Sequence, residues 1–288
     1  MNTLNRNLIL GVLVLLWTIF PFIWLLWSSL MTEKQFSNGI FSWILEPTMG
    51  NYLSILNLSE TDELHGGQTK KILYGFINSL LVSIPTAFVA TIISALGGYA
   101  FGRYIFPFKT TMLFGLLTTR LLPPIAILIP YFIFFKFIGL VGNLLSLFIV
   151  YLTSVVPLLT WMLMGYFSNL PIELEKAGRM DGCSRIQILT KVLIPLSMPG
   201  ISTCFMIAFL FAWNELLFGL ILTGGSNSQT LSPALLAISP LTSVGYSGVP
   251  LFASACILSI IPPLILALYF QKFISNLNFV DPVTTKIS

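Results

Sequence analysis

Apolar residues occur in six long runs along this chain of 288 residues. The runs cover approximately residues 8–30, 72–99, 110–135, 144–167, 198–222 and 249–271. A helix needs about 20 mostly apolar residues to cross a bilayer, and every run reaches that length. The pattern therefore predicts an all-α membrane protein with six transmembrane helices, folded as a single domain over residues 1–288.

Two polar stretches stand out between these runs. Residues 32–71 predict a long loop after the first helix, and residues 169–195 form the only long polar interruption among the later runs. In the second stretch we expect Asn169 to cap a helix, Asp181-Gly182 to form a turn and Ser184 to cap a second helix. Pro195 is expected to end or kink that second helix. The stretch is thus predicted to be a helix–turn–helix.

The distribution of lysine and arginine predicts the orientation. If the N-terminus lies in the cytoplasm, that side carries Arg6, Arg103, Lys109, Lys176, Arg179, Arg185, Lys191, Lys272 and Lys286. The opposite side carries Lys34, Lys70, Lys71 and Lys136. Because cytoplasmic loops hold the excess of basic residues, both termini are predicted to be cytoplasmic. Residues 32–71 are then external, and residues 169–195 are cytoplasmic.

Composition excludes several classes of protein. Hydrophobic residues make up 56% of the chain and charged residues only 8%, against about a quarter charged in a soluble domain. The three cysteines (Cys183, Cys204 and Cys256) have no metal-like spacing, and the sole histidine, His65, is expected to be solvated, so we predict no metal site. No basic cluster with interleaved aromatic residues is present, so nucleic acid is not an expected partner.

Polar residues inside the apolar runs are the candidates for a solute path. Arg120 and Glu215 lie within predicted spans, where a charge costs about 2.5–3.5 kcal/mol unless it faces a partner or water. They are expected either to form an ion pair or to line a polar path, and both readings stay open. Asn78, Asn214 and Trp213 are further lining candidates, because amides bind hydroxyl groups and an aromatic face packs on a sugar ring.

The sequence shows no catalytic constellation. A glycine-rich phosphate loop with its lysine is absent, and so is any nucleophile with a neighbouring base. The chain is therefore not expected to be an enzyme or to bind a cofactor itself.

Several motifs resemble the permeases of ABC importers. Ala177, Gly182, Val192, Ile194 and Pro195 are similar to the EAA loop of that family. The resemblance implies a cytoplasmic coupling helix that docks onto an ATPase subunit, with Glu175, Lys176, Ala177, Gly178, Asp181 and Gly182 as the coupling residues. Lys176 replaces the usual motif glutamate and Gly178 the second alanine, so Glu175 is expected to supply the carboxylate instead.

The wider match resembles the carbohydrate-importer branch. It includes Asn78-Ser79-Leu80, the segment from Gly98 to Arg103, Pro123-Pro124 with Pro130, Gly139-Leu140, Ala212-Trp213-Asn214-Glu215 and Leu222-Thr223. The tail from Ile274 to Ser288 departs from the family pattern. The outer segment Gly224–Gly248 is expected to contact a substrate-delivering protein or to be a plain linker.

The resemblance also implies the partners. We expect a second homologous permease, a dimer of ATP-binding subunits that hold ATP-Mg, an extracytoplasmic solute-binding protein and membrane lipid. The location implied is the inner (cytoplasmic) membrane of a prokaryote, as a multi-pass protein. Two alternatives stay open: a permease for a solute other than a sugar, and a secondary transporter coupled to an ion through Glu215.

Overall fold

The computed structural model describes residues 3–38, 47–56, 66–240 and 248–274, and these residues form helices and connecting turns without a strand. The α-helices are α1 Thr3–Ser29, α2 Glu33–Ser37, α3 Gly50–Ile55, α4 Gly66–Arg103, α5 Lys109–Thr118, α6 Pro124–Phe137, α7 Leu144–Asn169, α8 Glu173–Met180, α9 Arg185–Ile188, α10 Ile194–Leu196, α11 Met198–Asn214, α12 Leu217–Leu222, α13 Leu231–Ala237 and α14 Val249–Ile274. A 3₁₀ turn, Thr119–Leu121, follows α5, and a π-helical segment, Leu189–Leu193, follows α9.

Four helices are long and apolar enough to cross a membrane. These segments are Leu8–Ser29, Thr69–Arg103, Leu144–Asn169 and Val249–Phe273. Two bent pairs, Lys109–Leu121 with Pro124–Phe137 and Arg185–Leu196 with Met198–Asn214, add up to two more candidates. The described part of the chain therefore has four to six candidate spans.

The sequence pattern predicted one continuous helix for the third apolar run, but the structure has two helices there. α5 and α6 meet at an angle of 93°. Leu122 and Pro123 are both extended, with ψ angles of 124° and 134°. Each of these residues precedes a proline, whose ring disfavours the helical conformation of the residue before it. The Pro123-Pro124 pair therefore breaks the run in two.

The fifth apolar run is broken as well. α11 ends at Asn214, and Glu215 is extended (ψ 126°) before the short helix α12 begins. Upstream, the helical segment that follows Ser184 ends at Leu196, one residue after Pro195, and α11 leaves it at 84°. Pro199 has no N–H with which to continue the hydrogen-bond ladder at this point. Pro195 was predicted to end or kink this helical segment, and it lies one residue before the segment ends.

The packing divides the chain into two units. The first contains the described residues of Met1–Phe76 and Thr230–Pro262, and the second those of Ile77–Gln229 and Pro263–Ser288. In the first unit the Asn51 amide donates to the carbonyl oxygens of Ser29 and Met31, both at 2.9 Å, and the Ser254 hydroxyl donates to Ser29 at 3.1 Å. The apolar side chains of α1 from Leu8 onward are largely exposed, which suits contact with lipid or a partner.

The second unit is built around α7. Its core combines Phe135 of α6, Leu147, Val150 and Tyr151 of α7, and Phe218 of α12. A Cβ atom placed on Gly98 of α4 would lie only 2.8 Å from the backbone nitrogen of Met164. The absence of a side chain at Gly98 therefore lets α4 and α7 approach backbone to backbone.

Some predicted features fall outside the described residues. They are His65, residues 241–247 of the outer segment Gly224–Gly248, and the tail beyond Ile274. The described part of the outer segment contains α13, of which Leu231 and Ala234 are buried.

Candidate functional site

The polar stretch 169–195 folds as two short helices joined by a tight turn. Its start differs from the prediction, because Asn169 is the last residue of α7 and does not cap α8. Pro171 disfavours a helical conformation at Leu170, which is extended (ψ 143°) and ends the helix. Ile172 occupies the N-cap position of α8 and makes no side-chain cap. The first helix of the loop therefore begins only at Glu173.

The turn after α8 is a Schellman motif. The N–H of Cys183 donates to the carbonyl oxygen of Gly178 at 2.9 Å, and the N–H of Gly182 donates to that of Arg179 at 3.1 Å. Gly182 has φ +78°, in the left-handed region that favours glycine. The Asp181-Gly182 turn was predicted from the sequence, and the structure has it.

The second helix starts with a capping box. The Ser184 hydroxyl accepts from the N–H of Gln187 at 3.3 Å, and the Gln187 side chain accepts from the N–H of Ser184 at 2.7 Å. The predicted cap at Ser184 is thus confirmed. Gly178 of α8 faces Ile188 of α9, at a distance where an added Cβ would lie 3.1 Å from Ile188 Cγ1. A small residue at position 178 therefore lets the two helices pack closely.

Glu175 is the carboxylate that the sequence assigned to the docking surface, but the structure buries it. Its side chain is 5% exposed, and Oε1 lies 3.0 Å from Nε of Arg103 at the end of α4. Oε2 lies 4.0 Å from Nη2 of Arg179, one turn further along α8. Arg103 also donates to the carbonyl oxygen of Leu170 at 2.7 Å. The Glu175 carboxylate therefore holds the loop against the end of α4 and lies behind the exposed face of the loop.

The outer face of the loop carries different chemistry. Lys176, Ala177, Asp181 and Gly182 are exposed, and so is Met180, at 88%. Ile186 of α9 is also exposed, at 71%. Six residues were assigned to coupling. Four of them lie on the surface (Lys176, Ala177, Asp181 and Gly182), whereas Glu175 and Gly178 are buried. We call the set Lys176, Ala177, Met180, Asp181, Gly182 and Ile186 the loop face.

A second contact ties the loop to the end of α4. The guanidinium of Arg185 lies 5.0 Å from the centre of the Tyr104 ring, and the Tyr104 hydroxyl donates to that of Tyr99 at 3.1 Å. Sequence reasoning missed Arg103, Tyr104 and Arg185 as anchors of the loop. Arg103 could have been noticed as a basic residue at the end of an apolar run. Its partner, Glu175, lies far away in the sequence.

The second unit also contains a cavity of about 660 Å³. Its wall includes both helix breaks, with Arg120 next to the first and Glu215 at the second. Tyr131, Thr153 and Phe211 line it as well. Irregular backbone within a bilayer is tolerated where it lines a cavity or is buried in protein, which fits breaks at these two positions.

Arg120 and Glu215 share this cavity, but among the described residues they do not form an ion pair. The Arg120 guanidinium donates to the carbonyl oxygen of Ser154 and lies 5.9 Å from the centre of the Phe211 ring. The Glu215 carboxylate accepts from the N–H groups of Phe218 at 3.0 Å and Gly219 at 3.1 Å.

Tyr151 completes the environment of Glu215. Its hydroxyl donates to Oε2 of Glu215 at 3.1 Å, so the carboxylate has three donors from its own chain. Two of these donors are N–H groups in the first turn of α12, where a negative charge is stabilised by the helix dipole. Tyr151 was missed by sequence reasoning, because a tyrosine in an apolar run looks like any other core residue.

The remaining three candidates lie elsewhere. The Asn78 amide donates to the carbonyl oxygens of Asn227 and Gln229, at 2.8 and 2.9 Å, and so fastens the segment that follows α12. Trp213 is buried and stacks on Phe209, with ring centres 5.6 Å apart. Asn214 is exposed and donates to the carbonyl oxygen of its own helix at Leu210. None of the three belongs to the cavity wall.

Most of this chain is similar to known proteins. Residues 50–277 match the family described as "Binding-protein-dependent transport system inner membrane component". The chain is 31% identical over 260 residues to the sulfoquinovosyl glycerol transport system permease protein SmoH of Agrobacterium fabrum, covering 88% of this chain and 85% of that protein. It is 30% identical over 270 residues to the trehalose/maltose transport system permease protein MalG of Thermococcus litoralis, covering 93% and 92%.

A solved structure shares the fold. It is that of a bacterial ABC transporter involved in the import of the acidic polysaccharide alginate. The TM-score is 0.79 at 21% sequence identity, and the match covers 95% of this chain and 99% of that one.

Proposed function

This chain belongs to the family of binding-protein-dependent transport system inner membrane components, and we propose that it forms half of the translocation path of an ATP-driven importer for a sugar or sugar-like solute. The observation that carries the proposal is the loop face, an exposed surface on two short helices. The buried Arg103–Glu175 pair holds this surface against the end of a long apolar helix. A partner that displaces a surface held in this way also displaces the helix to which the surface is attached.

The proposal includes a topology of six crossings with both termini in the cytoplasm. It counts each bent pair as one crossing and rests on the excess of lysine and arginine on the side of residues 169–195. The loop face then lies in the cytoplasm, where ATP is available. The membrane is the inner (cytoplasmic) membrane of a prokaryote.

Four kinds of partner complete the proposed assembly. They are a second homologous permease, a dimer of subunits that bind and hydrolyse ATP-Mg, an extracytoplasmic solute-binding protein and membrane lipid. This chain itself is the conduit and leaves hydrolysis to the ATPase subunits. Its exposed α1 suits lipid or the second permease.

The proposed coupling runs along contacts of the second unit. Closure of the ATPase subunits displaces α8, and the Arg103–Glu175 pair passes the displacement to the end of α4. α4 packs on the backbone of α7 at Gly98, and Tyr151 of α7 reaches Glu215 at the cavity wall. A displacement of the loop therefore has a continuous path of packed groups to the cavity.

Sugar is the proposed solute because of the relatives. The printed names of two relatives, quoted above, refer to transport of sulfoquinovosyl glycerol and of trehalose and maltose. An importer for another solute would have the same loop face. The groups that line the cavity must therefore distinguish a sugar from another solute. An ion-coupled transporter would need Glu215 to exchange an ion, but its carboxylate is already occupied by three donors.

The test is a pull-down of the complex from detergent, with Gly182→Asp compared with wild type. Gly182 and Gly139 both have positive φ angles, of 78° and 72°, and neither has an atom within 4 Å of an added Cβ. Gly139→Asp therefore imposes the same backbone strain far from the loop and is the matched control.

We expect wild type and Gly139→Asp to bring down an ATPase subunit and a second permease. Gly182→Asp is expected to keep the second permease and lose the ATPase. If wild type purifies alone even when an ATPase is supplied, the importer function is wrong, and ion-coupled transport becomes the leading function.

A further inference from the structure

Arg120 carries a charge that the described part of its own chain does not neutralise. It lies in the 3₁₀ turn Thr119–Leu121, beside the break between α5 and α6, and forms part of the cavity wall. An arginine stays protonated in a protein and offers five N–H donors. One hydrogen bond, to the Ser154 carbonyl oxygen, accounts for one of these donors within the described residues. The remaining donors are available to a ligand.

The nearby carboxylate does not serve as the counter-ion. Glu215 shares the cavity wall, but its two oxygens accept from Phe218, Gly219 and Tyr151. These three donors already stabilise its negative charge. The described ion pairs of the second unit involve Arg103, Arg179 and Glu175, all in or beside the loop, and none reaches Arg120. Among the residues that the structure describes, the Arg120 charge in the cavity wall therefore has no carboxylate partner.

A free cation inside a membrane protein calls for an anion. A charge inside a bilayer is unfavourable, and an oppositely charged ligand offsets this cost. The planar fork of arginine fits a carboxylate through two parallel N–H···O bonds.

The rest of the wall suits a sugar ring. Tyr131 and Thr153 present hydroxyl groups, joined by a hydrogen bond of 2.9 Å, and the Arg120 guanidinium lies over the Phe211 ring, 5.9 Å from its centre. Hydroxyl groups bind those of a sugar, and the Phe211 ring holds the guanidinium beside them by a cation–π contact.

We propose that the solute is an anionic sugar, and that Arg120 binds its carboxylate or an equivalent oxyanion within the cavity. This inference rests on the proposed function, since it names the class of solute that passes through the path. Glu215, in contrast, holds α12 at the cavity wall through its bonds to Phe218, Gly219 and Tyr151.

The test uses a pair of probes that have the same sugar rings and differ in whether their carboxyl groups are charged. Trigalacturonate and its fully methyl-esterified form have the same rings, and binding of each to the purified complex is measured by titration calorimetry. Purified complex avoids the selectivity of the solute-binding protein. Arg120→Gln removes the charge, and Arg120→Lys keeps the charge but not the fork. Lys136→Gln removes an exposed cation of α6 outside the cavity wall and is the matched control.

We expect wild type and Lys136→Gln to bind the acid at least about tenfold more tightly than the ester, with a preference that falls as salt is added. Arg120→Gln is expected to lose the preference while keeping its partners and its unfolding temperature. Arg120→Lys should keep part of the preference. Equal binding of acid and ester by wild type, or no binding of the acid, would overturn the proposal.

Two further outcomes separate the causes of failure. If Arg120→Gln loses the second permease and not the acid preference, the counter-ion is a carboxylate of that partner and the inference is wrong. If the wild-type complex drives ATP-dependent uptake of a neutral sugar and shows no acid preference, the proposed importer function stands while the anionic class is rejected.

Discussion

The Nε atom of Arg103 lies 3.0 Å from Oε1 of Glu175, and both side chains are only 5% exposed. The pair joins the end of α4 to the middle of α8. Removing one member of a buried ion pair leaves the other charge uncompensated, which destabilises a protein by about 3–5 kcal/mol. This pair therefore links the loop face to the end of α4.

We expect Glu175→Gln to lower the free energy of unfolding by about 3–5 kcal/mol, measured by denaturant unfolding in detergent. Glu173→Gln removes an exposed carboxylate two residues earlier in the same helix and should change it by less than about 0.5 kcal/mol. The double variant Arg103→Gln with Glu175→Gln should lose less than the sum of the two single variants. Strict additivity would mean that the two residues do not interact.

Gly98→Ala is expected to weaken the packing of α4 on α7. The added Cβ would lie 2.8 Å from the Met164 nitrogen and 2.9 Å from the Leu163 carbonyl carbon, so the backbones must separate. Overpacking of this kind costs about 1–3 kcal/mol. Gly115 of α5 has no atom within 4 Å of an added Cβ, and Gly115→Ala should leave the thermal midpoint unchanged or slightly raised. Equal midpoints for the two variants would contradict the close approach.

Lys176→Glu is expected to weaken binding of the ATPase subunit. With Glu175 buried against Arg103, Lys176 is the basic residue of the loop face. Its reversal places a like charge opposite any acidic group that the partner offers, and we expect about tenfold weaker co-purification at low salt. Lys176→Gln should have a smaller effect, and Lys191→Glu, outside the loop face, serves as control. Stronger binding of Lys176→Glu would show that the partner surface is basic.

Glu215→Ala should destabilise the protein more than Glu215→Gln does. Alanine leaves the N–H groups of Phe218 and Gly219 and the Tyr151 hydroxyl without their acceptor, at a cost of about 1.5–3 kcal/mol. Glutamine keeps one oxygen acceptor. We expect ATP-driven uptake to persist in Glu215→Gln, measured in proteoliposomes. An ion-coupled transporter would instead lose its uptake when this carboxylate is replaced.

The polar loop shows how far sequence reasoning reaches. The turn at Gly182 and the cap at Ser184 follow from chemistry within a few residues, and both are present in the structure. The N-cap assigned to Asn169 was wrong, because the apolar helix before it continues until Pro171 stops it.

The candidate site was predictable only in part. Arg120 and Glu215 stood out as charges in apolar runs, and the structure places both on one cavity wall. Asn78 and Trp213 were chosen by residue type alone, yet the first fastens a neighbouring segment and the second stacks on Phe209. Residue type tells which bonds a side chain can form, but not which groups lie within its reach.

The sequence by itself determined the apolar runs, the turn chemistry of the loop and the family, because each depends on residues that are neighbours along the chain. Tertiary structure alone decided that Glu175 faces inward while Lys176 faces outward, and that Tyr151 binds Glu215 while Arg120 has no carboxylate partner among the described residues. These outcomes depend on Arg103 and Tyr151, which lie far from their partners in sequence. Only packing brings such groups within the roughly 3 Å at which hydrogen bonds and ion pairs act.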